Sequence, residues 1–121
     1  WARRLHADEI VEWIGLAERN VDVGYWPQAG FVKYGFVHAF RHLRRGTPYR
    51  DALRETLLGG GDTDTNACIV GGLVGALHGE PGIPRAMVEA VMSCDTEKGR
   101  PRPAWLRTRE QLPRIFDALV E

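Results

Sequence analysis

The chain is poor in several things that would narrow its class. Its 121 residues hold two cysteines, Cys68 and Cys94, too few for a disulfide scaffold or a four-cysteine zinc site. Neither charge sign is in excess. Sixteen Lys and Arg balance sixteen Asp and Glu, so no net field draws in nucleic acid or acidic lipid. The longest uncharged apolar run, Ala67 to Leu77, covers 11 residues, far short of the ~20 that a bilayer-spanning helix needs. No apolar–polar alternation of useful length marks a half-buried strand. The start at Trp1 carries no initiator Met, signal peptide or transit-peptide composition. These absences lead us to expect a soluble cytoplasmic protein with no nucleic-acid or membrane partner, read as a processed product or a fragment.

What is present is globular and helical. Hydrophobic residues at 44% and charged residues at 26% match folded domains rather than disordered chains, and the length suits one domain over 1–121. Ile10, Trp13, Ile14 and Ala17 recur at helical spacing, with Asp8 as N-cap and Asn20 as stop. A second helix, about Phe31 to Arg45, is expected to turn Val32, Phe36, Ala39, Phe40 and Leu43 inward and Lys33, Arg41, His42, Arg44 and Arg45 outward. Thr47 and Pro48 open a third, with Ala52, Leu53 and Leu57 as its buried stripe and Gly59 at its end.

The fourth helix, about Asn66 to His78, differs in kind. Ile69, Val70, Leu73, Val74 and Leu77 form one stripe and Gly71, Gly72, Gly75 and Ala76 the other. A helix with no charged face is normally buried on all sides. Each interior glycine costs ~1 kcal/mol against Ala, so close neighbouring backbones are expected. Pro84 begins a short helix to about Cys94. A Pro- and Arg-rich connection leads to a last helix, with Leu112, Ile115, Phe116 and Leu119 as its stripe and its start either at a Thr108–Gln111 capping box or at Pro113. The fold class is all-α, a compact bundle of five to six helices.

The segment GGGDTDTNA, running from Gly59 to Ala67, is where composition and position both point to chemistry. Three glycines permit positive φ and close approach of a ligand to the backbone. Asp62, Asp64 and Thr65 then offer hard oxygens suited to Mg²⁺, Mn²⁺ or Ca²⁺ rather than zinc. The start of the fourth helix adds free N–H groups that favour an anion. N-capping is the plainer account of such residues; it explains one acid well and two poorly, and spacing alone leaves both open.

The run GGGDTDTNACIVGGLVGALHG resembles the C-terminal signature of the ADP-ribosylglycohydrolase family, which includes the dinitrogenase-reductase-activating glycohydrolases and the ADP-ribosylhydrolases. GFVKYGFVHAFRHL is similar to a family helix that begins Gly-aromatic-Val. IPRAMVEAVMSCDTEKGRPRPAWL is similar to the ending of many bacterial members. The likeness covers at least Tyr25 to about Leu106. It implies half of a two-magnesium (or manganese) site, with Asp62, Asp64 and Thr65 as ligands and Asp64 bridging. It also implies Gly60 and Gly61 close to metals and substrate, and Gly30 and Phe31 near the substrate cleft.

The implied reaction cleaves the glycosidic bond between ADP-ribose and a protein or other acceptor, so the implied partner is an ADP-ribosylated protein or an ADP-ribose-type ligand. Family enzymes are more than twice as long. Their N-terminal part brings a second acidic motif of Thr-Asp-Asp type and a glutamate at the reacting centre, and neither has a counterpart here. The chain therefore reads as a C-terminal portion. By itself it is expected to be inactive, or to act as a binding or assembly module that joins a missing N-terminal half or a second copy.

Other candidates read as structural. His38 and His42, at i and i+4 without a third ligand, are expected to face solvent. His78 suits the negative end of its helix. Arg41 to Arg45, Lys98, Arg100, Arg102 and Arg107 read as a solvated face. Cys68 and Cys94 are expected to be small core residues. Tyr25, Trp26 and Phe31 are candidates either for stacking on a base or ribose or for packing within the domain. The spacing of Gly71, Gly75 and Gly79 reads as helix packing.

Overall fold

The computed structural model describes residues 7–95, 97–99, 103 and 107–120. It is all-α, with six α-helices, a short 3₁₀ turn and no strand among the described residues. The chain forms two compact units, Trp1–Ile83 and Pro84–Glu121. No helix among the described residues is long and apolar enough to cross a membrane.

The first unit contains α1 (Asp8–Glu18), α2 (Val32–Arg45), α3 (Tyr49–Gly59), α4 (Thr63–His78) and the 3₁₀ turn Glu80–Gly82. Helix α2 lies between α1 and α4, and α4 packs on both α2 and α3. Asp8 is the first residue of α1 rather than its cap, where its charge suits the positive helix end. Asn20, at φ 56°, follows α1, a left-handed conformation that Asn tolerates better than most residues. Two clusters make the core. Ala39, Ala52, Val70 and Val74 join α2, α3 and α4. Trp13, Ala17 and Val37 join α1 to α2, with Phe31 and Phe36 packed on them.

Helix α2 turns a different face inward from the one its apolar residues suggest. Tyr34, Val37, His38, Ala39 and His42 are buried, while Val32 and Phe40 are exposed. Burial of the two histidines is possible because each finds a nearby polar partner. His38 Nε2 lies 3.3 Å from the Gly24 carbonyl oxygen, and His42 Nδ1 lies 3.2 Å from Thr47 Oγ1. Thr47 is thus engaged from within rather than capping α3, which begins after Pro48. In α3 the buried stripe is Ala52 and Thr56, not Leu57. The Thr56 hydroxyl donates to the Ala52 carbonyl at 2.9 Å and so enters the core satisfied.

Helix α4 is not buried on all sides. Asn66, Val70, Gly71 and Val74 face α2 and α3, whereas Thr65, Cys68, Gly72 and Ala76 form an open face. Its glycines divide accordingly. A β-carbon on Gly71 would lie 3.2 Å from Leu53 Cδ2, and one on Gly75 would lie 3.3 Å from Tyr49 Cε2, but one on Gly72 would meet nothing within 4 Å. The first two are closely packed, but against side chains rather than the neighbouring backbones expected, and the third is open. Cys68 and Cys94 are both exposed, contrary to the core reading. At the far end of α4, His78 Nε2–H donates to the Thr47 carbonyl at 2.9 Å.

The second unit pairs α5 (Arg85–Met92) with α6 (Thr108–Val120). Arg109 and Glu89 form an ion pair across them at 3.0 Å. Helix α6 starts at Thr108 and carries Pro113 inside it. Arg100, Arg102 and most of the Pro- and Arg-rich connection lie outside the described residues.

Candidate metal centre

The acidic loop is made by backbone first. Helix α3 ends at Gly59, and Gly60 and Gly61 follow at φ 78° and 70°, a region that side chains with a β-carbon seldom occupy. These two residues reverse the chain and deliver Asp62 to the start of α4. The helix begins at Thr63, about one turn before the start expected from apolar spacing. Asp62 occupies the N-cap position, yet its side chain makes no capping hydrogen bond. The Asp64 carboxyl is held below the ordinary aspartate value, first by a hydrogen bond with the Asp62 side chain and then by its own backbone N–H and that of Thr65.

Two carboxylates thus lie at the cap and in the first turn of α4, with Asp62 half-buried and Asp64 and Thr65 exposed. Among the described residues neither has a Lys, Arg or His nitrogen within 4.0 Å. Two carboxylates and a hydroxyl are donors that magnesium accepts, and magnesium commonly keeps several waters besides a few protein oxygens. In chemistry the donor set fits. In number it is short: no group of three or more His, Cys, Asp or Glu gathers for a metal among the described residues.

The other anticipated residues divide. Gly30 is drawn to the acidic pair, and a β-carbon there would sit 3.6 Å from Asp62 Oδ2. Phe31 belongs to the core, edge-on to Trp13 at 5.7 Å and to Tyr34 at 5.8 Å. Gly60 lies beneath Trp26, with Nε1 3.8 Å from where a β-carbon would be. Buried Asn66, next after Thr65, leaves its Nδ2 without a hydrogen-bond partner.

Tyr25 is the residue that sequence reasoning underrated. It is 5% exposed, packs against the glycines of the loop and stacks on His38 with ring centroids 4.5 Å apart. Burial raises the Tyr25 pKa and lowers that of His38. The pair borders an open cleft of about 320 Å³, shared with Asp22, Arg41, Glu55 and Gly59. An aromatic residue in a turn-rich segment gives no sign of which loop it will support.

With this geometry in view, the comparisons with known proteins decide the lineage. The family profile described as ADP-ribosylglycohydrolase matches residues 1–120. The chain belongs to the ADP-ribosylglycohydrolase family. A protein of Acanthamoeba polyphaga mimivirus named "Putative ADP-ribosyl glycohydrolase L543" is 43% identical over 65 residues, which is 54% of this chain and 19% of that protein. The match thus spans about a fifth of the relative's length. No solved structure shows a significant match.

Proposed function

We propose that this chain supplies one half of a two-cation site in an enzyme that cleaves the glycosidic bond between ADP-ribose and a protein or other acceptor. The observation that carries the reading is the placement of Asp62 at the N-cap and of Asp64 and Thr65 in the first turn of α4, directly after two positive-φ glycines. Asp62, Asp64 and Thr65 would hold magnesium or manganese. When bound, such a metal supplies charge stabilisation and orientation for the ribose hydroxyls and a water.

The chain's own residues shape the site. Gly60 and Gly61 turn the chain into the start of α4, where both acids lie. Gly30 lies beside Asp62, where a β-carbon would make an ordinary contact with Oδ2 at 3.6 Å. Exposure of Asp64 and Thr65 leaves their oxygens open to a ligand. No acid or base for the glycosidic bond is assigned to these residues. That group, and the remaining ligands, would come from a part of the enzyme outside this chain.

A second reading, a binding or assembly module, rests on the open face of α4: Thr65, Cys68, Gly72 and Ala76 begin at the acidic loop and run the length of the helix. Small side chains in that row suit close approach of another helix, supplied by an N-terminal half or by a second copy.

Two measurements test the first reading. Mn²⁺ binding, followed by electron paramagnetic resonance, should weaken about tenfold or more in Asp64→Asn and Asp62→Asn. Release of ADP-ribose from an ADP-ribosylated protein, by the full-length gene product, should require Mg²⁺ and fall with the same substitutions. Unchanged Mn²⁺ affinity in Asp64→Asn would overturn the assignment.

A further inference from the structure

The loop that carries the acids is moulded on one side chain. A β-carbon built on Gly59 would fall inside the ring edge of Tyr25. One built on Gly61 would lie 2.8 Å from Tyr25 Cβ and 2.9 Å from the Tyr25 carbonyl oxygen. Two of the three glycines that lead to Asp62 are therefore pressed against the same residue, closer than any real β-carbon could come. The ring has little freedom to yield. It stacks nearly parallel to His38, at 12°, and His38 is itself 3% exposed and braced by the Gly24 carbonyl at 3.3 Å. The neighbouring backbone is pinned as well, because the Tyr34 hydroxyl donates to the Trp26 carbonyl at 2.9 Å.

We propose that Tyr25 is a positioning residue for the acidic pair: its ring, stacked on His38 and abutted by Gly59, fixes the path of Gly59–Gly61 and with it the placement of Asp62 and Asp64. The consequence for metal binding rests on the cation-site reading above; the packing itself does not. Gly59 provides a clean probe. It is the last residue of α3 and lies outside the positive-φ glycines, so alanine suits its backbone, and the three atoms its β-carbon would approach most closely all belong to the Tyr25 ring. Gly61, at φ 70°, would be strained by any side chain and cannot separate the two causes.

The test is a double-mutant cycle on the full chain, with Mn²⁺ alone as the probe and the ¹⁵N–¹H NMR positions of the Gly60, Gly61 and Asp62 amides as a metal-free readout. Gly59→Ala should weaken Mn²⁺ binding about tenfold and move those amides, yet add less than about twofold in the Y25A background, where the space is already vacated. Tyr25→Phe, which keeps the ring, should retain affinity within about twofold. Val74→Ala, in the core cluster of α2, α3 and α4, should lower the melting temperature and leave Mn²⁺ affinity unchanged. If Tyr25→Ala does not fold, Tyr25→Leu serves as the background, since it also removes the ring edge.

Equal effects of Gly59→Ala in the presence and absence of the ring would overturn the proposal, as would a silent Gly59→Ala. Absence of Mn²⁺ binding by the parent chain would overturn the cation reading alone. The amide shifts then decide the positioning claim: movement that depends on the Tyr25 ring supports it, and movement indifferent to the ring defeats it.

Discussion

His42 Nδ1 lies 3.2 Å from the hydroxyl of Thr47, across the turn that joins α2 to α3. The contact is buried, with His42 only 1% exposed. The opposite nitrogen, Nε2, has no hydrogen-bond partner and sits 4.0 Å from a Glu55 carboxylate oxygen. Burial holds the His42 pKa down to about 4, with Glu55 pulling the other way and Arg41 and Arg45 assisting the depression. At neutral pH the ring is uncharged.

Stability should therefore fall on mild acidification. The folded-state pKa of His42 lies below the unfolded value of 6.5. Its contribution is whole above about pH 6.5 and is lost as the pH falls toward about 4. Between about pH 7 and 4.5 the loss should be of order 2–3 kcal/mol. Urea unfolding across that interval measures it. In His42→Gln this part of the slope should flatten, and a profile unchanged by the substitution would assign the pH dependence to other groups.

Thr47→Val should cost about 1–3 kcal/mol, because it leaves the buried His42 Nδ1 without its partner. Thermal melts at neutral pH read this directly. Thr47→Ser, which keeps the hydroxyl, should lie closer to the parent.

The glycines on the helices should respond in opposite directions. Gly35 is buried in α2, and a β-carbon there would lie 2.8 Å from Ile69 Cδ1 and 3.0 Å from Asn66 Oδ1. Gly35→Ala should destabilise by about 1–3 kcal/mol. Gly72 meets nothing within 4 Å, so Gly72→Ala should stabilise by roughly 0.5–1 kcal/mol through reduced backbone entropy of the unfolded chain. By the same argument Gly72→Leu should fold, against the expectation drawn from the uncharged sequence of α4. Denaturant midpoints of the three variants check the order.

Both thiols should react with a disulfide reagent in the native protein. Cys68 on the open face of α4 and Cys94 after α5 are exposed. Reaction of Cys94 alone would indicate that a second copy covers α4. Sedimentation over a range of concentrations would then show the associated species.

The helices were legible in sequence because apolar spacing reports the period directly. Trp13, Ala17, Ala39, Val70 and Val74 stand in the core as that period requires. The acidic loop was legible from its glycines, and the positive φ of Gly60 and Gly61 agrees with that composition. The inward face of α2 was not. Hydropathy counts His38 and His42 as polar, while their burial depends on a carbonyl and a hydroxyl brought from other segments. The open side of α4 was hidden for the converse reason, since Gly72 and Ala76 carry no polar atoms to announce solvent. The support given by Tyr25 is a contact between segments 34 residues apart in numbering, Tyr25 and Gly59, and no local pattern encodes it.

Helix α4 begins at the carboxylate pair and ends where His78 Nε2–H meets the Thr47 carbonyl. Its 16 residues make a rod about 24 Å long at ~1.5 Å per residue. Thr47 is also the residue that engages His42. The acidic loop and the buried histidine thus sit at the two ends of one lever. If α4 moves as one rod, a ligand that tilts it at Asp64 should shift the NMR positions of the His42 ring, and an unmoved ring would show that the helix does not carry the tilt.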